Sequence, residues 1–110
     1  MVRECYTAII ERGRTFTGKL TTEPYECGWA SEAIFFVRKL EGKDSVARTR
    51  LRVQISPDGM HWCDEGTYLV LTEEEIDFCR VTHFGNWLRL CGTLPSGTSL
   101  KAVIALVLKE

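Results

Sequence analysis

Arg48–Ile55 reads RTRLRVQI and runs into Ser56-Pro57-Asp58-Gly59. Successive side chains of an extended strand point to opposite sides. Leu51, Val53 and Ile55 therefore share one face, and Arg48, Arg50, Arg52 and Gln54 share the other. Pro57 fixes φ and Gly59 supplies a positive φ, so the chain turns there. Met60–Asp64 (MHWCD) is expected to return antiparallel. A strand with one apolar face, closed by a tight turn, argues for antiparallel sheet.

The same period of two extends outward in both directions. Upstream, Cys5–Glu11 (CYTAIIE) and Thr15–Thr21 (TFTGKLT) read as strands joined by a turn at Arg12-Gly13-Arg14, and Ala33–Leu40 (AIFFVRKL) as a strand apolar on both faces at its centre. Downstream, Thr67–Thr72, Ile76–Thr82, Trp87–Leu94 and Ser99–Lys109 read as strands. Between the first two of these lies the acidic corner Glu73-Glu74-Glu75, where Glu73–Phe78 also admits a short helix capped by Thr72. Eight or nine short strands with turns every ~8–12 residues predict a single all-β domain over residues 1–110, an antiparallel sandwich of jelly-roll type. Leu51, Val53, Ile55, Trp62, Leu88, Leu90, Ile104 and Leu106 are expected in the core. Along the last strand the second face also carries apolar residues, Val103, Ala105 and Val107, which suits a central strand or one covered by another subunit.

The 110 residues carry 14 Lys and Arg against 15 Asp and Glu, a net charge of −1. That excludes a generally basic nucleic-acid or membrane-surface protein. The charge is unevenly spread: residues 1–55 hold ten basic and seven acidic side chains, and residues 56–110 hold four and eight. Most of the difference lies in Arg48, Arg50 and Arg52 on one side and Glu73, Glu74, Glu75 and Asp77 on the other. The arginine stripe could follow a phosphate backbone. Pairing with the acidic corner, within one chain or between copies, suits the opposite charges better.

Five cysteines stand 22, 36, 16 and 12 residues apart, without the short paired spacing of a zinc or redox site. Their odd number, and a start (Met1-Val2-Arg3-Glu4) lacking an apolar leader core, predict reduced thiols in a cytoplasmic compartment or in a virion or shell particle. No run is long enough to span a bilayer, so a soluble protein without membrane contact is expected. No metal or other cofactor is expected either.

Chemistry has few candidates. Cys63 or Cys79 with His61 or His83, oriented by Asp64 or Asp77, would supply a nucleophile and base; inert packing is the simpler expectation for strand cysteines. His61 and His83 with Asp58, Asp64 and Glu65 lack ligand spacing, and Asp58 is accounted for by its turn. The carboxylate run Glu73–Asp77 reads as a solvated corner rather than a glycosidase pair. Trp29, Trp62 and Trp87, with Tyr6, Tyr25 and Tyr68, could stack on sugar rings, although most aromatics in a small sandwich pack its core. Trp87 is expected to be the most exposed of the three tryptophans, or to lie at an interface.

Val53-Gln54-Ile55-Ser56-Pro57-Asp58-Gly59-Met60-His61-Trp62 resembles the S-x-D-G-x-x-W hairpin of small jelly-roll modules, which include discoidin-type carbohydrate- or lipid-binding domains and short bacterial and phage proteins. Phe84-Gly85-Asn86-Trp87-Leu88-Arg89-Leu90, followed by Ala102–Leu108, resembles the closing half of those short proteins. The resemblance covers about residues 50–110, and its motifs are structural. It implies the free-standing jelly rolls of viral and phage capsid, decoration and capsid-like proteins, and so a homo-oligomer in a large symmetric assembly without catalytic activity. On that reading the interface residues are Arg48, Arg50, Arg52, Glu73, Glu74, Glu75, Trp87, Val103, Ala105 and Val107. The alternative the resemblance carries is a carbohydrate-binding module.

Overall fold

The last strand organises the sandwich. In the computed structural model, which describes residues 4–110, it runs from Ser99 to Lys109 and is the ninth of nine strands. Met1–Arg3, part of the stretch read for a leader, lie outside the described residues. The strands are β1 (Cys5–Thr17), β2 (Lys19–Thr21), β3 (Tyr25–Glu26), β4 (Glu32–Glu41), β5 (Arg50–Ser56), β6 (Cys63–Val70), β7 (Ile76–Thr82), β8 (Trp87–Thr93) and β9 (Ser99–Lys109). One sheet has the order β1-β9-β4-β7; the other has β2-β8-β5-β6, with the two-residue β3 also paired to β8. All the pairings are antiparallel. Setting β3 aside, the eight remaining strands cross between two four-stranded layers in jelly-roll order.

The core lies between the layers. From the first sheet come Phe35 and Val37 of β4 and Leu100, Ala102, Ile104, Leu106 and Leu108 of β9, every second residue of each strand. From the second come Leu51, Val53, Leu88 and Leu90, all fully buried. Ile55 is partly buried and packs against this cluster.

Local geometry departs from the sequence reading at several points. Arg12-Gly13-Arg14 is not a turn: β1 is one strand, and its register against β9 slips between Ile9 and Glu11 and between Arg12 and Arg14. Gly13, at φ 98°, absorbs the second slip as a bulge. The chain changes sheets only at Gly18. Met60–Asp64 and Thr67–Thr72 are likewise not two strands; β6 is a single strand whose pairing with β5 slips between Arg52 and Gln54. Glu73–Glu75 form bends rather than a helix. Trp62 is half-buried beside β6, not in the core. Arg48 lies in the turn before β5 with φ 74°, so the strand stripe consists of Arg50 and Arg52 alone.

One end of the sandwich is closed by a buried charge pair. Lys39 and Asp77 are almost wholly withdrawn from water, and the Lys39 ammonium donates to the Asp77 carboxylate and to the Thr72 carbonyl at 2.8 Å. Thr72 completes the cluster through its hydroxyl, 2.6 Å from Asp77 Oδ1, and its amide, 2.8 Å from Oδ2.

Candidate functional site

The outer surfaces of the two sheets differ in chemistry, and the difference follows from register. On the β1-β9-β4-β7 sheet, Ile9, Ala105, Phe36 and Phe78 form one continuous row across all four strands. Val107 and Ile34 extend it on one side, Val103 and Ile76 on the other. Ile76 and Phe78 are about half exposed, and Val103, Ala105 and Val107 are partly so. The Phe36 and Phe78 rings meet at 5.9 Å. Basic side chains frame the apolar centre: Arg80 pairs with Ile34, and Arg12 and Arg38 lie in the row of Val103. The Arg80 guanidinium sits 5.0 Å from the centre of the Phe78 ring. An apolar centre inside a charged rim is the usual anatomy of a protein–protein contact.

The other outer face satisfies itself. Arg89 Nε donates to Gln54 Oε1 at 2.8 Å, and Gln54 Nε2 donates to Asp64 Oδ1 at 2.8 Å. Arg52 Nε lies 3.6 Å from the same Asp64 oxygen, and its Nη2 lies 3.2 Å from Cys91 Sγ. Arg89 also covers Trp62, 4.2 Å from the ring centre, and Arg50 covers Tyr68 at 5.7 Å. Arg50 and Arg52 therefore face their own sheet neighbours, while Glu73, Glu74 and Glu75 stand exposed on the corner before β7. Among the described residues Arg52 pairs with Asp64 rather than with the Glu73–Glu75 corner.

A cleft opens at the end of the sandwich where β3 pairs with β8. Its volume is about 430 Å³, and Glu26, Gly28, Trp29, Pro57, Asn86 and Trp87 line it. Trp29, at 44% exposure, is the exposed tryptophan; Trp87, expected to be the most exposed of the three or to lie at an interface, is half-buried. The Ser56–Gly59 turn supports Trp87. Ser56 Oγ accepts from the amides of Asp58 at 3.2 Å and Gly59 at 2.8 Å, and donates to Asp58 Oδ1. Asp58 also accepts from the amides of Met60 and His61 and lies 2.7 Å from His61 Nδ1. The His61 amide and ring, then the Met60 amide, hold the Asp58 carboxyl well below the usual carboxylate range. Gly59 packs on the Trp87 indole so closely that a Cβ there would lie 3.1 Å from the ring.

No family model and no curated protein matches the sequence. Solved structures do match. The SPBc2 prophage-derived protein YomS superposes over 100% of this chain and 96% of its own, with a TM-score of 0.63 and 5% identity. The VP2 subviral particle of infectious bursal disease virus matches over 97% of this chain at TM-score 0.59 and 13% identity, this chain spanning 32% of that one. A Clostridium perfringens module, CpGH89CBM32-5, solved in complex with GalNAc-β-1,3-galactose, matches over 94% of each chain at TM-score 0.51 and 10% identity. What is shared is the jelly roll.

On this jelly roll the thiols are free and scattered. Cys5 and Cys63 are exposed, and Cys27, Cys79 and Cys91 are buried. Burial pushes the Cys27 and Cys79 thiols up to about 12, far from a nucleophile's range. The His61 ring is engaged by Asp58, and Cys63 Sγ lies 3.9 Å from the Ile55 carbonyl, so His61 and Cys63 are not joined as base and nucleophile. Among the described residues no three His, Cys, Asp or Glu side chains are grouped to hold a metal ion. Among the described residues no helix is long and apolar enough to cross a membrane. The sequence reading placed Val103, Ala105 and Val107 on the outer face but did not single out Ile9, Phe36 and Phe78. It also missed that Trp29 and Trp87, 58 residues apart, share one cleft.

Proposed function

We propose that this chain is a self-assembling structural subunit without catalytic activity, of capsid, capsid-like shell or virion-decoration type. Its copies meet through the outer face of the β1-β9-β4-β7 sheet, with Val103, Ala105 and Val107 at the centre. One observation carries the reading: that face is apolar across four strands, whereas the polar groups of the opposite face are largely paired with one another. Charge favours a second copy as the occupant. Arg12, Arg38 and Arg80 frame the face, and Glu73, Glu74 and Glu75 stand exposed nearby in sequence, so each copy offers both signs to its neighbours. Arg48, Arg50, Arg52 and Trp87 fall outside the central patch, and the three arginines serve, on this reading, in secondary contacts of the particle. Five free thiols suit a reducing compartment, or a particle formed in one.

Size exclusion with light scattering, followed by electron microscopy of the purified protein, tests it. The expected result is a discrete multimer at micromolar concentration, weakened by salt. Phe36→Asp should dissociate it while circular dichroism stays native. A wild-type protein that runs as a clean monomer overturns the reading. A second reading, saccharide binding, is favoured by the Trp29–Trp87 cleft and by the likeness to a carbohydrate-binding module.

A further inference from the structure

We infer that the cleft between Trp29 and Trp87 is a binding site for a neutral saccharide, held by indole stacking and by Glu26 and Asn86. The inference rests on the saccharide reading and is independent of assembly. Ligand sites are concave, combining apolar walls with a few convergent polar groups, and a volume of about 430 Å³ falls within their usual size. The apolar walls here are two indoles and Pro57, matched to the C–H face of a pyranose ring. The polar groups are a carboxylate and an amide, which accept from and donate to ring hydroxyls. Among the described residues no lysine or arginine lines the cleft, so a sialylated, uronic or phosphorylated ligand would bring its charge towards Glu26 uncompensated. A quaternary ammonium would use the indoles and Glu26 but leave Asn86 idle.

The site is built rather than incidental. Asn86 Nδ2 donates to the Pro57 carbonyl at 3.2 Å, and the Asn86 carbonyl accepts from the Cys27 amide at 2.7 Å. The strand pair β3–β8 sets Glu26 directly opposite Trp87. Gly28 packs directly against the Asn86 side chain, since a Cβ there would stand 2.8 Å from Oδ1. The self-bonded Ser56–Gly59 turn fixes Trp87 from behind. The Asn86 and Trp87 walls therefore stand in place before any ligand arrives, which lowers the ordering cost of binding.

The test uses the full chain on a panel of immobilised neutral oligosaccharides of galactose, N-acetylgalactosamine, glucose and mannose, with sialylated glycans and a choline resin alongside. Wild type should bind at least one neutral glycan. Trp29→Ala and Glu26→Gln should each weaken that binding about tenfold or more, the size of one lost stacking or charge-assisted contact. Trp29 is exposed, so its variant should keep the wild-type melting temperature, and Phe36→Asp should bind as wild type does. Absence of any neutral-glycan binding, or binding confined to sialylated glycans or choline, overturns both the site and the saccharide reading. Glycan binding unchanged in both cleft variants overturns the site alone.

Discussion

At Lys39 the sandwich withdraws an ammonium from water and meets it with a carboxylate and a carbonyl. Burial pushes the Asp77 carboxyl up, but Lys39 and the Thr72 hydroxyl and amide outweigh it and hold the group below its ordinary value. Breaking such a pair from one side leaves an uncompensated buried charge. Lys39→Met should therefore cost about 3–5 kcal/mol in urea unfolding. The pH dependence follows from the direction of the Asp77 shift. A carboxyl lowered in the folded state stabilises it above the unfolded pKa of about 3.9, and that contribution is lost as pH falls through the lower folded value. The urea midpoint of wild type should fall steeply below about pH 4, and Asp77→Asn should flatten that acid limb while lowering the neutral-pH midpoint. An equally steep limb in Asp77→Asn would place the acid sensitivity elsewhere.

Elements were legible where their periodicity was undisturbed. β7 and β9 run over the residues the alternation marked, and β4 extends its reading by one residue at each end. Bulges hid β1 and β6: a glycine at positive φ reads the same in a turn as in a bulge, so Gly13 reads as a turn and Gly66 falls between two strand readings. Partnership across strands was less legible still. Ile9 and Phe78 lie on alternating strands whose exposed residues look ordinary one at a time, and only the register aligns them with Ala105 and Phe36. Positive φ also separates two glycines by their surroundings. Gly42, at φ 89°, lies against the start of β9, where a Cβ would fall 2.1 Å from the Ser99 carbonyl oxygen. Gly66, at φ 112°, has nothing within 4 Å of that position. Gly66→Ala should cost about 1–2 kcal/mol, the backbone strain alone. Gly42→Ala should cost more than that, because β9 or the loop must also shift. Thermal unfolding of the two variants checks the order, and an equal loss would remove the steric argument.

At the scale of the molecule, the net charge of −1 conceals two outer surfaces of different chemistry. The eight apolar residues of the three rows cover on the order of 260 Å² of flat sheet, at ~6.7 Å along and ~4.8 Å across the strands for each. That is comparable with the largest apolar patch a monomer normally exposes, and smaller than the ~800 Å² per partner of a standard interface. The patch can therefore supply the centre of a contact while its charged surroundings supply the rest. Burying it between copies links association to folding. A partner that binds only the folded chain raises apparent stability with concentration, by about 1.4 kcal/mol for each tenfold once binding is saturated. The melting temperature of wild type should accordingly rise across a tenfold-to-hundredfold dilution series read from dilute to concentrated. Phe36→Asp, which places a carboxylate beside Ala105 and Phe78 at the centre of the row, should show a melting temperature independent of concentration. A wild-type protein whose melting temperature is flat over the same series would mean that the apolar sheet face stays uncovered in solution.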